Sequence, residues 1–92
     1  MKAILIKKAK TRMSKTGRGI YIRCTFRSCE DNKSYLLDVY EAHPRSRKFL
    51  ETGLPLQGIF NNLQIASGYG GKYIDGNSNF GFLGILNKDK ET

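Results

Sequence analysis

The feature that most narrows the fold is a change of period at Gly19. From Lys7 to Arg18 the chain carries Lys7, Lys8, Lys10, Arg12, Lys15 and Arg18, six cations in twelve residues with no acid among them. Gly17 and Gly19 flank Arg18 and permit a bend or a positive φ there. From Ile20 the side chains then alternate. Ile20, Ile22, Cys24 and Phe26 fall on one face, and Tyr21, Arg23, Thr25 and Arg27 on the other. A period of two is the signature of a strand with one buried face. The apolar face enters a core, and the other presents a ring, a hydroxyl and two guanidinium groups.

The remaining elements are legible in order. Ala3-Ile4-Leu5-Ile6 predicts a first strand ending near Ala9, and Lys10 to Gly19 predicts a positive loop. The second strand spans about Gly19 to Arg27, and the polar run Ser28 to Ser34 is a turn. Tyr35 to Ala42 reads as a third strand, antiparallel to the second, which sets Tyr40 beside Tyr21. His43-Pro44 stops it. Arg45 to Thr52 suits a short helix with Pro44 at its start and Gly53 just past its end. Phe49 and Leu50 dock that helix, with Arg45, Arg47 and Lys48 in solvent. Leu56 to Ala66 reads as a fourth strand in which Gly58 marks a bulge or a close approach. Ser67 to Gly71 is a Gly/Tyr loop. Lys72 to Asp75 and Phe80 to Asn87 supply the last strand material, with Asp75-Gly76 as a hairpin-turn dipeptide. Phe26, Phe49, Phe60, Phe80 and Phe82 are assigned to the core.

This order is mainly β: a five-stranded OB-like Greek-key barrel with one short helix between strands 3 and 4. Residues 1–87 form a single nucleic-acid-binding domain and 88–92 a charged tail. At 92 residues an independent core is thin, and dimerisation is a common remedy.

Charge separates the two halves. The formal net charge is +8; residues 1–50 account for +9 and residues 51–92 for −1. A one-sided positive field attracts a polyanion. Single-strand binders combine a positive groove with rings that stack on bases, each worth about 1–3 kcal/mol. Lys7, Lys8, Lys10, Arg12, Lys15 and Arg18 can meet phosphates, as can Arg23, Arg27 and Lys72. Tyr21, Tyr40, Tyr69 and Tyr73 can stack.

Other chemistries find little purchase. Gly68-Tyr69-Gly70-Gly71-Lys72 lacks the Walker spacing and continues with Tyr73 in place of Ser or Thr. Cys24 and Cys29 want two more ligands for zinc, and only His43 and scattered carboxylates remain. Asp38 and Glu41, three apart on a strand, face opposite sides. No enzyme activity, metal or cofactor is expected. No apolar run approaches the roughly eighteen residues of a membrane span, and two cysteines fit a reducing cytoplasm.

The stretch SKTGRGIYIRCTF, a basic loop, a glycine and a strand alternating aromatic with basic residues, resembles the small single-stranded-DNA-binding proteins of filamentous phages. Length, absence of Trp and Tyr/Phe content are also similar. The resemblance implies a compact OB-like barrel, a symmetric homodimer and sequence-tolerant coating of single-stranded DNA. It implies that Tyr21 and Arg23 touch nucleotide and that Tyr40 and Tyr69 or Tyr73 stack. Its long family hairpin has no counterpart in the short Ser28–Ser34. Two other readings share the same surface: an RNA-binding β-barrel module, and a small non-enzymatic protein that binds an acidic protein partner.

Overall fold

The computed structural model describes residues 1–13, 19–68 and 71–86. Within them lie strands β1 (Ala3–Met13), β2 (Gly19–Ser28), β3 (Ser34–Tyr40), β4 (Gly58–Asn61), β5 (Ile65–Gly68), β6 (Gly71–Ile74) and β7 (Gly81–Ile85). A 3₁₀ turn over Pro44–Ser46 leads into a short helix, α1 (Arg47–Glu51), between β3 and β4. Five strands form one antiparallel sheet in the order β3-β2-β1-β4-β7, and β5 and β6 form a separate hairpin.

The fold is therefore mainly β with one short helix in the expected place. The expected closed barrel is not formed: the five-stranded sheet is open, and β3 shares no ladder with β6, although β6 lies against it. Closure fails because the fourth strand is interrupted. Asn62 takes φ 62°, β4 ends at Asn61 and β5 begins only at Ile65, so that Leu56 to Ala66 divides into β4 and β5. Asp75-Gly76 does make a turn, with the Ser78 amide donating to the Asp75 carbonyl at 3.0 Å. It is not a hairpin, because β7 passes β6 and pairs with β4.

The period of two in β2 is realised as a two-faced strand. Cys24 and Phe26 are buried and stand opposite Leu37 and Tyr35 of β3. Tyr21, Arg23 and Thr25 stand opposite Tyr40, Asp38 and Leu36 on the outer face. Phe60 of β4 is the centre of the core. Its ring meets Phe26 edge-on at 5.5 Å, Phe80 at 5.5 Å, Phe82 at 5.1 Å and Phe49 at 6.5 Å. Aromatic pairs favour such tilted arrangements, because ring edges are positive and ring faces negative. Phe49 brings α1 to this cluster by stacking on Phe80 at 4.0 Å. Lys48 is exposed as expected, and its ammonium reaches back to lie 4.6 Å from the Phe80 ring and to donate to the Phe80 carbonyl. Arg47 is exposed as expected, and the side chain of Arg45 lies outside the described residues. Phe82 is only partly a core residue, with 40% of its surface exposed.

Gly58 marks the close approach read from the sequence. A Cβ there would stand 2.8 Å from the Pro55 carbonyl oxygen and 3.1 Å from the Phe82 ring. The first strand is longer than expected. It runs to Met13, so Lys7, Lys8, Lys10 and Arg12 belong to a strand and not to a loop. Cross-strand pairing with Ile20 to Cys24 extends the ladder past the point where polarity alone places its end. The ends of the chain's sheet are tied down by backbone bonds: Met1 and Leu63 exchange two, at 2.7 and 2.9 Å.

Replacing Phe60 by Ala is expected to cost about 3–5 kcal/mol, since the cavity would open between four rings. Urea unfolding followed by circular dichroism measures this. A loss below about 1 kcal/mol would show that the core is organised around another residue.

Candidate nucleic-acid interface

The cations of β1 are divided by one extra residue. Leu5 stands opposite Phe26, but Lys7 stands opposite Thr25, so Ile6 is bulged out of register. A bulge exchanges the faces of everything beyond it. Lys7 therefore joins the outer face with Tyr21, Arg23 and Thr25. Lys8 and Lys10 stand opposite Cys24 and Ile22, on the face that carries the core. Lys8 spends its ammonium on the Leu54 carbonyl at 2.6 Å, and Lys10 lies 3.2 Å from the Glu41 carboxylate. Those two cations are engaged within the chain. The side chain of Arg12 and the whole of Lys15, Arg18 and Tyr69 lie outside the described residues.

On the outer face the sequence places Tyr21 and Tyr40 side by side, and the structure stacks them, with centroids 4.9 Å apart and 29° between planes. Tyr21 is 8% exposed, so the ring expected to be most available is covered. Arg23 contributes to that cover, its guanidinium lying 5.7 Å from the Tyr21 ring centre. Arg23 also grips Asp38 with two hydrogen bonds, Nε to Oδ1 at 2.9 Å and NH2 to Oδ2 at 3.0 Å. The hydrogen bond to Asp38 and its charge hold the guanidinium still more firmly protonated than usual. Sequence reading missed this pair because Asp38 was considered against Glu41, not against the cation directly across the ladder. Lys7 is exposed and Arg27 half-buried, and neither forms an ion pair among the described residues.

Tyr73 and Lys72 come from the β5–β6 hairpin. Tyr73 is 42% exposed, and its ring lies along Gly68, where a Cβ would approach to 2.9 Å. Glycine at 68 is thus a condition for the ring to lie flat across the hairpin. The hairpin is fixed to the next segment by Ser78, whose hydroxyl accepts from the Gln64 amide and donates to the Asp75 carbonyl.

Between β3 and β6 runs a groove of about 870 Å³. Leu36, Asp38 and Tyr40 line one side; Lys72 and Tyr73 line the other, with His43 and Ala42 at one end. It lies where a closed barrel would have had its β3–β6 ladder. Leu36 was not singled out by the sequence, and His43 was weighed only as a strand end and a metal ligand. The signal for Leu36 is its register position opposite Thr25, on the outer face, where a 43% exposed leucine has no core to join. Among the described residues no three His, Cys, Asp or Glu side chains come close enough to hold a metal ion. Among the described residues no helix is long and apolar enough to cross a membrane. Compared with known proteins, the chain matches no protein-family profile, no curated protein and no solved structure.

The two thiols differ sharply. Burial pushes Cys24 up to about 12, whereas Cys29 is exposed in the turn after β2. In that turn the Lys33 amide and then the Tyr35 hydroxyl hold Asp31 below the usual carboxylate range, and Tyr35 is raised in return. One thiol per native chain, that of Cys29, should react with Ellman's reagent, and the second only after unfolding. The folded chain keeps the Cys24 proton that the unfolded chain loses. Stability linked to this group is therefore complete below about pH 9 and falls as pH rises towards 12. Urea midpoints at rising pH check this, with Cys24→Ala flattening the fall; an equal slope in the variant would assign it to other groups.

Proposed function

We propose that this chain binds single-stranded nucleic acid, DNA in preference to RNA, with little regard to sequence and without covalent chemistry. The observation that carries the reading is the groove between β3 and β6. It has an apolar wall in Leu36, two tyrosines in Tyr40 and Tyr73, and a cation in Lys72. A nucleotide has a base with two apolar faces and a charged phosphate, and this lining offers a partner to each. Stacking on a ring such as Tyr73 is worth about 1–3 kcal/mol per base and tolerates every base, since each has a π-face. Lys7 and Arg27 on the adjoining face extend the positive path for phosphates. The strand order β4-β1-β2-β3, with a return from β3 to β4 that carries α1, is compatible with a Greek-key arrangement and supports reading the sheet as OB-related.

Asp38 has a defined part in this reading. By occupying Arg23 it keeps a guanidinium beside the groove from meeting phosphate, so affinity is held below what the residue content allows. The covered Tyr21 acts behind Tyr40, holding the second ring by stacking and not by touching a base.

Fluorescence anisotropy with labelled dT and rU oligomers of about 20 nucleotides and a matched duplex tests the proposal. Binding to dT should exceed binding to the duplex. Contacts from Lys7, Arg27 and Lys72 give a slope of about −2 in log affinity against log salt, at about −0.7 per phosphate. Tyr73→Ala should weaken binding by about 5-fold to 150-fold, the equivalent of one lost stack. Asp38→Asn should strengthen it and steepen the slope by about 0.7 as Arg23 is released. A clear rU preference moves the reading to RNA. Weak and equal binding to all three probes, unmoved by Tyr73→Ala, would overturn it in favour of an acidic protein partner.

A further inference from the structure

At the end of the groove formed by Ala42 and His43, one side chain breaks a local rule. Ser46 stands at the N-cap of α1, where a serine oxygen ordinarily accepts from an amide of the first helical turn. Here it makes no such bond. Its Oγ accepts instead from the Tyr40 amide at 3.0 Å. Backbone bonds tie the same three residues together: the Ser46 amide donates to His43 at 3.0 Å and the His43 amide to Tyr40 at 3.1 Å. Ser46 is only 7% exposed, yet it lines the groove. A hydroxyl carries one hydrogen to donate besides its lone pairs. Among the described residues the Ser46 hydroxyl donates to no acceptor. A buried donor in that state calls for an acceptor from outside the chain.

The charges around this end leave room for an anion. Asp38, in the groove wall, is held by Arg23 through two hydrogen bonds. Beyond His43 lies a smaller cavity of about 250 Å³ whose lining includes Glu41, Arg47 and Glu51. Lys10 lies 3.2 Å from Glu41, and Arg47 offsets Glu51. The exposed His43 ring forms no ion pair among the described residues. An imidazole carries at least one N–H in either protonation state. Lys72 brings an ammonium to the same groove.

We propose that this end of the groove seats a terminal phosphate of the bound strand, a phosphate monoester. The Ser46 hydroxyl and the His43 ring N–H are its donors, and the Lys72 ammonium is its counter-charge across the groove. The inference rests on the nucleic-acid reading of the groove and adds to it an end of the strand. Two arguments favour a monoester over a phosphate inside a strand. A monoester has three acceptor oxygens and a charge of about −1.5 to −2, more of each than a diester. A diester also needs room for a sugar on both sides, whereas Ser46 is buried and Ala42 and His43 wall the end. A base carbonyl would satisfy Ser46 alone and leave His43 and Lys72 without an anion.

Calorimetric titration of the full chain tests this, with dT oligomers of about 12 nucleotides at about 0.15 M NaCl. One oligomer carries a 5′-phosphate, one a 3′-phosphate and one hydroxyls at both ends. One phosphorylated form should bind at least about tenfold tighter than the unphosphorylated one, as hydrogen bonds to a charged group imply. The other should gain far less, because unspecific attraction is the same at both ends. Ser46→Ala and, separately, His43→Ala should each remove most of the preference. His43→Ala alters an exposed ring and should leave the thermal midpoint in place, so it reports even where loss of the Tyr40 contact unfolds Ser46→Ala. Inorganic phosphate alone should bind at least about tenfold more weakly than the preferred oligomer, since stacking is missing. A free anion that binds as tightly makes this a site for small phosphates and overturns the terminal-phosphate reading. Equal gains at both ends, or a preference that His43→Ala keeps, overturn it too. Oligomers that bind but gain nothing from phosphate overturn it and leave the nucleic-acid reading standing. Binding confined to a phosphorylated form upholds the end site and overturns binding along the strand. No binding by any of the three overturns both.

Discussion

The ring of Phe60 is the contact on which the rest of the structure depends. It meets Phe26 from β2, Phe49 from α1, Phe80 from the loop before β7 and Phe82 from β7 itself. Three segments distant in sequence, at residues 26, 49 and 80–82, are thereby held to β4. A domain of 92 residues has little apolar area to spare, and concentrating five rings in one cluster gives that area a defined geometry. The cluster also fixes the ends of the sheet. It places β4 beside β1 and β7 beside β4, which leaves the β5–β6 hairpin to fold against β3. The groove exists because the aromatic core commits β7 to β4 and away from β6.

Electrostatics on this sheet are settled by geometry more than by composition. The bulge at Ile6 sends Lys7 to the face of Tyr21 and Arg23 and sends Lys8 and Lys10 to the opposite one. Lys10 finds Glu41, Arg23 finds Asp38, and Lys8 finds a carbonyl. Exposed ion pairs contribute little to stability, commonly below about 1 kcal/mol. Their importance here is that they reserve cations that would otherwise be available to an anion. Affinity for a polyanion then depends on which cations remain unengaged and on which face, and a count of lysines and arginines overstates it.

Solvent exposure divides the aromatic residues into two kinds. Tyr21 and Phe60 are covered and organise their neighbours. Tyr73 and Phe82 are open to solvent. Tyr73 faces a groove with a cation, and Phe82 packs one side of its ring on Phe60. These are chemically different surfaces carried by two different sheets.

The sequence by itself determined the two-faced strand β2, the hairpin pairing of Tyr21 with Tyr40, the short helix between β3 and β4, the turn at Ser28 to Ser34 and the burial of Cys24. Each rests on a local signal: a period of two, a proline at a helix start, or a cluster of turn residues. Tertiary structure decided the rest. A one-residue bulge has no signature in Leu5-Ile6-Lys7, yet it chooses the face of every cation after it. The length of β1 depends on its partner strand, so cations that read as a loop fold into a ladder. The openness of the sheet follows from the break that divides the fourth strand after Asn61 and from the pairing of β7 with β4, which no local pattern encodes. Whether a tyrosine or an arginine is available depends on what stands across the ladder, and for Arg23 that neighbour, Asp38, lies fifteen residues away.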